Sequence, residues 1–285
     1  FISMQKGFDD YAAQSGGVKF TTLGADNTDP AAQVRMIEDA IAKSPDCIVV
    51  VPNDTAAIEP ALQKGTEAGI LMITQEAPTS QNAAADIEFL ILEKEGKDVF
   101  DLLVKHAGES GGYAIMVGGL TTEGHMARAD ATVAYQEANF PNWTQVADRL
   151  EGSENAATAH DKTLELLTAH PDIKGIIYIG SQGAIGGAQA IAEKGLIGKV
   201  AVIGESVPSQ AKKYLEDGSM TANYIGNPYR IGLDSAYIVQ ELLAGKQLSE
   251  LTKLPSYGDA VVDGKVITFH ADTEVTAENA DSFGF

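Results

Sequence analysis

The chain has 285 residues, of which 44% are hydrophobic and 21% charged, a balance typical of globular proteins with one large or two ordinary domains. It contains no apolar run of about 18 residues, which excludes a membrane-spanning helix of the usual kind. The net charge of −20 argues against nucleic acid as a partner, and the single cysteine, Cys47, excludes a disulfide framework and a thiolate metal site.

Short apolar runs along the chain predict buried parallel strands. These runs occupy residues 47–51, 70–74, 113–118, 174–180 and 200–204. Segments with the apolar spacing of helices lie between them, at residues 31–43, 124–138 and 184–195. Because strand and helix alternate, the pattern predicts an α/β fold with doubly wound parallel sheets and right-handed crossovers.

The second half of the chain repeats the order of elements of the first half. The repeat pairs residues 47–65 and 71–76 with residues 176–194 and 201–205. Glu76 and Glu205 hold equivalent places, as do Cys47 and Ile176, and both separations are 129 residues. The repeat therefore predicts two similar Rossmann-like lobes.

The start of the chain differs between the two repeats. The second half opens with the strand at 113–118, whereas the first half opens directly on a loop and helix at residues 1–14. We therefore expect one more strand before Phe1, in a longer natural chain.

Polar residues directly after the predicted strands are the candidates for a binding site. Ligands of open parallel sheets bind beyond the carboxyl ends of the strands, and two facing lobes predict a cleft lined by these ends. The candidates are Phe1, residues 52–54, Gln75 and Glu76 in the first half, and residues 120–125, Ser181, Gln182, Glu205 and Ser206 in the second. Carboxylates, amides, hydroxyls and an aromatic face suit a polyhydroxylated solute, with Glu76 as the main anchor.

Catalytic motifs do not occur in the sequence. There is no nucleophile elbow and no phosphate-binding lysine, and the glycine-rich residues 180–187 lack the spacing of a dinucleotide fingerprint. The histidines show no metal-ligand spacing. The sequence therefore predicts a binding protein without enzymatic activity, metal or cofactor.

Three segments resemble the type I periplasmic binding proteins, in particular the group of rhamnose-binding, autoinducer-two-binding and ribose-binding proteins. Residues 51–77 resemble the family's strand, helix and strand that end on a ligand-binding acid. Residues 203–246 resemble the segment that leads through its Asn-Pro hinge, and residues 272–285 its closing segment. The resemblance covers essentially the whole chain. It implies a solute-binding protein of an ABC importer, which binds a small sugar-like ligand between two lobes by hinge closure.

The resemblance also assigns roles to individual residues. Glu76 falls where the family usually has a ligand-binding Asp, and Asn227 falls at a hinge position that faces the ligand in ribose-type relatives. The polar contacts of the second lobe fall on Thr122, Glu123, His125, Ser181 and Gln182. This chain has Gln75 where a Trp is common and Pro78 where an Asp is common. The ligand therefore stays open among monosaccharides, alditols, amino sugars and furanone-type signals.

The family's three crossover segments predict where the lobes divide. They are expected near residues 108–112, 225–229 and 268–272. The predicted lobes are residues 1–108 with 226–268, and residues 109–225 with 269–285. The resemblance further implies a monomer that hands its ligand to the importer's membrane subunits, either in a periplasm or lipid-anchored outside a Gram-positive cell.

A sugar-responsive transcriptional repressor is the alternative, because its ligand-sensing domain has the same two-lobed fold. Such a protein would carry a helix-turn-helix ahead of the present sequence. The strong negative charge and the closing segment favour transport.

Overall fold

A computed structural model describes residues 2–24, 29–120 and 122–284, apart from the side chain of Glu123. These residues divide into two compact units. Unit 1 comprises Phe1–Ile91 and Asn227–Ala271, and unit 2 comprises Leu92–Gly226 and Asp272–Phe285. Within the described ranges, no helix is long and apolar enough to cross a membrane.

The first part of unit 1 alternates helices and strands. Its elements are α1 (Ile2–Ser15), α2 (Pro30–Ile41), β1 (Cys47–Val50), α3 (Thr55–Glu67), β2 (Leu71–Gln75) and β3 (Ala85–Glu88). Both α2 and α3 start at an aspartate N-cap, since Asp29 accepts from the N–H of Ala31 and Asp54 from that of Ala57, each at 2.9 Å.

Unit 2 continues the same alternation. Its elements are α4 (Leu92–Ala107), β4 (Gly111–Val117), α5 (Glu123–Asn139), β5 (Trp143–Gln145), β6 (Leu150–Glu151), α6 (Ala156–Ala169), β7 (Ile173–Ile179), α7 (Gly183–Glu193), β8 (Ala201–Gly204), α8 (Pro208–Glu216) and β9 (Ala222–Gly226). The apolar strands β4, β7 and β8 are almost wholly buried, as expected of strands covered by helices on both faces.

The chain then returns to unit 1 and ends in unit 2. The returning part of unit 1 contains α9 (Pro228–Leu243), a 3-10 turn (Leu248–Glu250), β10 (Lys253–Leu254), β11 (Gly258–Asp259), β12 (Val261–Asp263) and β13 (Val266–Thr268). The last elements belong to unit 2 and are β14 (Asp272–Val275) and a second 3-10 turn (Ala280–Phe283).

The main sheet of unit 1 has the strand order β1-β2-β3-β13-β12. The neighbouring strands of this sheet pair in parallel, except β12 and β13, which are antiparallel. Ile73 and Ile87 pack with α9 on one face, whereas Met72 packs with α3 on the other. Because side chains alternate along a strand, Thr74 and Asp86 lie on the α3 face with Met72.

The sheet of unit 2 has the order β14-β9-β8-β7-β4-β5, and β6 also pairs with β4. After β4, the chain forms β5 on one side of β4. It then forms β7, β8 and β9 in turn on the other side of β4. The strand order therefore reverses between β4 and β7, which is the topological switch point where open α/β sheets bind ligands.

The predicted α/β architecture is confirmed, and each predicted strand is present within one or two residues as β1, β2, β4, β7 or β8. The first predicted boundary needs a correction, because α4 lies in unit 2 and the chain crosses between Ile91 and Leu92, ahead of residues 108–112. The cause is packing, since Phe100 of α4 meets Tyr113 of β4 edge to face at 5.2 Å. The other crossings follow Gly226 and Ala271, inside the predicted segments.

Candidate functional site

The two candidate residues at the end of β2 differ in their exposure. Gln75, the last residue of the strand, is 1% exposed, so its side chain is buried. Glu76 is exposed and has a φ of 60°, in the left-handed region. Its N–H donates to the carbonyl of Ile87 at 3.3 Å. The backbone thus stays attached to β3, while the side chain of Glu76 is accessible.

Two further carboxyl groups lie beside Glu76 on β3. Asp86 is fully buried, and its Oδ1 accepts from Thr74 Oγ1 at 2.6 Å and from the N–H of Ala77 at 3.1 Å. The pKa of Glu88 is raised to about 9. Burial is the largest cause, a hydrogen bond with Asp86 is the second, and the charge of Glu76 acts in the same direction. Glu76, Asp86 and Glu88 therefore place three carboxyl groups on β3 and at the end of β2, and Glu88 holds a proton at neutral pH.

A hydrogen-bonded group of side chains follows β4 and β7 in unit 2. His125 Nδ1 accepts from the N–H of Gly118 at 3.0 Å, and its Nε2 lies 3.7 Å from Glu154 Oε1. Ser181 Oγ donates to Glu154 Oε2 at 2.8 Å. Burial lowers the pKa of His125, so the ring is neutral at pH 7 and carries its proton on Nε2. The group offers an imidazole, a carboxylate and a hydroxyl at the switch point of the sheet.

Two other predicted residues occupy helix N-caps next to this group. Thr122 precedes α5 and is exposed, and Gln182 precedes α7 and is half-buried. The amide nitrogen of Gln182 lies 3.4 Å from Gln210 Oε1. Phe1 and the side chain of Glu123, which were also predicted to bind ligand, lie outside the described residues.

Ser206 and Asn227 are engaged within their own units. Ser206 is fully buried, and its hydroxyl donates to the carbonyl of Glu205 at 2.7 Å. Asn227 is the N-cap of α9, where its Oδ1 accepts from the N–H of Tyr229 at 3.0 Å. Local structure therefore accounts for both side chains, and their roles as ligand contacts stay predictions.

A buried ion-pair cluster in unit 2 is the main feature that the sequence analysis missed. Arg128 on α5 donates from Nη1 and Nη2 to the two carboxylate oxygens of Glu205, at 2.9 and 2.8 Å. Its Nε donates to Glu95 on α4 at 2.5 Å. Only 12% of the Arg128 side chain and 3% of the Glu95 side chain are exposed. Arg128 therefore joins α4, α5 and the end of β8.

The carboxyl groups around Arg128 differ in the direction of their pKa shifts. Burial alone would raise the pKa of Glu205, but the pairing with Arg128 outweighs burial and lowers it. Burial raises the pKa of Glu95, and burial together with the charge of Glu95 raises that of Asp272. Among the described residues, this cluster included, no group of three or more His, Cys, Asp and Glu side chains is arranged to hold a metal ion. Glu205 had a strand-end signal in the sequence, whereas Arg128 had none.

Two α/β units, each with polar side chains after its parallel strands, define a two-domain ligand-binding protein of the α/β class. The profile of the family described as "Periplasmic binding protein domain" matches residues 1–247. The chain belongs to this family. Membership implies an extracellular or periplasmic location, and it supports the solute-binding interpretation over the repressor alternative.

Known proteins of similar sequence and structure agree with this assignment. The D-allose-binding periplasmic protein of Escherichia coli K12 is 24% identical over 281 residues, covering 94% of this chain and 88% of its own. A sugar ABC transporter protein from Actinomyces odontolyticus has the same fold, with a TM-score of 0.87, 21% identity, and coverage of 100% of this chain and 93% of its own. An ABC transporter solute-binding protein from Clostridium phytofermentas with bound L-rhamnose has a TM-score of 0.81, 21% identity, and coverage of 99% and 93%.

Proposed function

We propose that this chain is the solute-binding protein of an ABC importer and that it captures a small neutral sugar or alditol without catalysing a reaction. The family match carries this proposal, together with a relative named for D-allose binding and a similar structure with bound L-rhamnose. The proposal includes a monomeric protein, delivery to the importer's membrane subunits, and a place in the periplasm or on a lipid anchor outside a Gram-positive cell. Closure of the two units on the ligand belongs to the same proposal.

The polar groups after the strands fit such a ligand chemically. A carboxylate such as Glu76 accepts hydrogen bonds from two neighbouring hydroxyls, and charge-assisted bonds of this kind are short and strong. The neutral His125 and the hydroxyl of Ser181 provide both donors and acceptors, as alternating sugar oxygens require.

A thermal-shift screen with neutral sugars, alditols and amino sugars tests the ligand class. A ligand that binds only the native state stabilises it by about 2.7 kcal/mol at a hundredfold excess over its dissociation constant. We expect a clear shift with at least one neutral monosaccharide or alditol. Shifts with amino sugars alone would show that the ligand is a cationic sugar and not a neutral one. No shift with any compound would contradict the proposed function.

Replacing Glu76 by Gln or Ala is expected to weaken binding of the compound found in that screen by about 10- to 100-fold, the value of one charge-assisted hydrogen bond. Isothermal titration calorimetry of each variant measures the loss. Glu67→Gln is the matched control, because it removes the same charge from an exposed position at the end of α3. Equal affinity in the wild type and both Glu76 variants would show that Glu76 is not the anchor.

A further inference from the structure

Asp86 and Glu88 form a carboxyl pair that the sequence analysis did not single out. They lie two residues apart on β3, so their side chains share one face of the strand. Asp86 Oδ2 and Glu88 Oε1 are both buried, and neither receives a hydrogen bond from a donor within the described residues. One proton held between the two carboxyl groups satisfies both oxygens, whereas two ionised carboxylates would leave both unsatisfied.

Asp86 also contacts the loop that follows β2. The other oxygen of Asp86 accepts from Thr74, at the end of β2, and from the backbone of Ala77. Ala77 directly follows Glu76, whose own N–H is bonded to Ile87 on β3. Asp86 therefore fixes the backbone at Ala77, on the C-terminal side of Glu76. The carboxyl group of Asp86 keeps this position only when its repulsion from Glu88 is neutralised.

We propose that Asp86 and Glu88 share one proton, and that this pair holds the loop carrying Glu76 as two positioning residues of the ligand site. The hold on the loop involves unit 1 alone, while its consequence for ligand affinity rests on the proposed function. Loss of the shared proton leaves two anionic carboxylates on one face of β3, and their repulsion weakens the bond from the N–H of Ala77 to Asp86.

Other ionisable groups lie on segments of unit 1 before, after or beside β3. They are Glu59 on α3, Glu76 after β2, Lys265 before β13 and His270 after β13. Glu59 accepts from the N–H groups of Gln81 and Asn82, and Lys265 donates to the carbonyl of Ser80. His270 Nδ1 lies 3.5 Å from the N–H of Ile91. The charge of Glu76 disfavours ionisation of Glu88, and hydrogen bonding with Asp86 favours its protonated form.

The pair predicts a specific pH dependence of stability. The pKa of Glu88 is raised in the folded protein, so the folded state keeps a proton that the unfolded chain releases. The stability of unit 1 therefore falls as pH rises between about pH 5 and about pH 9. One such proton makes the unfolding equilibrium constant rise by up to about tenfold per pH unit in this range.

Guanidinium denaturation, followed by circular dichroism across this pH range, tests the shared proton in the full chain. Glu88→Gln removes the group that carries the proton and supplies a permanent donor to Asp86, so we expect it to lose this pH dependence while remaining folded. Asp86→Asn supplies a permanent donor to Glu88 and removes the neighbouring charge, so we expect a weaker pH dependence that burial of Glu88 still maintains. Glu67→Gln, at its exposed position on α3, is expected to keep the wild-type profile. A wild-type profile in Glu88→Gln and Asp86→Asn would overturn the inference.

Hydrogen exchange of the Ala77 amide tests the link to the loop. Asp86→Ala removes the acceptor and is expected to lower the protection of this amide at least about tenfold, whereas Asp86→Asn retains it. Unchanged protection in Asp86→Ala would show that the pair does not hold the loop. Neither experiment needs a ligand, so failure of this inference is distinguishable from failure of the proposed function.

Discussion

Replacing Arg128 by Ala is expected to destabilise unit 2 by about 3–5 kcal/mol, because it leaves the buried carboxylates of Glu95 and Glu205 without their cation. The pKa of Glu95 is already raised by burial, and removal of Arg128 raises the carboxyl pKa values further. The folded variant must then take up protons that the unfolded chain releases. The loss of stability is therefore expected to grow as the pH rises above the ordinary pKa range of carboxyl groups.

Denaturation followed by tryptophan fluorescence measures this loss directly. Trp143 is the single tryptophan of the chain and lies in the core of unit 2, packed against Phe100. Lys105→Ala is the matched control, because it breaks an exposed ion pair with Glu274 between α4 and β14. We expect the control to cost less than about 1 kcal/mol.

A double variant separates two causes of the lost stability, the unpaired carboxylates and the lost packing of the Arg128 side chain. Adding Glu205→Gln to Arg128→Ala removes one of the two unpaired carboxylates, so part of the lost stability is expected to return. A loss in Arg128→Ala as small as that of Lys105→Ala would show that the buried cluster does not hold α4, α5 and β8 together.

Replacing Gly232 by Ala is expected to destabilise unit 1 by about 2 kcal/mol, and Gly232→Val by more, because α1 and α9 cross in direct backbone contact. A Cβ at Gly232 would lie 2.3 Å from the carbonyl oxygen of Met4, and a Cβ at Gly7 would lie 2.2 Å from that of Tyr229. The atoms in the way belong to the backbone, so no side chain can turn aside. The helices must separate, which exposes Met4 and Ile231 of the core.

Calorimetric unfolding of the Gly232 variants measures this effect. Gly124→Ala is the control, because a Cβ at this helical position would meet no described atom within 4 Å. We expect it to be neutral or slightly stabilising, since Ala favours helix over Gly by up to about 1 kcal/mol. Equal stability of Gly232→Ala and the wild type would contradict the close crossing of α1 and α9.

The apolar strands were predictable from the sequence, and the polar ones were not. The five predicted strands are runs of aliphatic residues, which bury both faces of a parallel strand. β3 has the sequence Ala-Asp-Ile-Glu, and its Asp86 and Glu88 argue against a buried strand. Both residues are tolerated there because Thr74 and Ala77 donate hydrogen bonds to Asp86 and because Glu88 keeps a proton. These interactions arise from the tertiary structure and are not visible in the sequence of β3.

The candidate site was predictable only in part, because a position after a strand does not determine the direction of a side chain. Gln75 and Glu76 are neighbours in sequence, but the first is buried and the second exposed. Ser206 follows β8, as predicted for a ligand contact, yet its hydroxyl is buried and donates to the carbonyl of Glu205. Arg128 lies on a helix, and only the packing of α4 against α5 brings it to Glu95.

Calorimetric titration of the purified wild-type chain with D-allose, L-rhamnose, D-ribose and an alditol tests the central claim of a sugar-binding protein most directly. We expect saturable binding of at least one of these compounds, with one site per chain and a dissociation constant in the micromolar range or below, about −8 kcal/mol or stronger. A chain that is folded by circular dichroism and binds none of these compounds or any other polyhydroxylated solute would contradict the claim. Membership of the family would then stand without the proposed function.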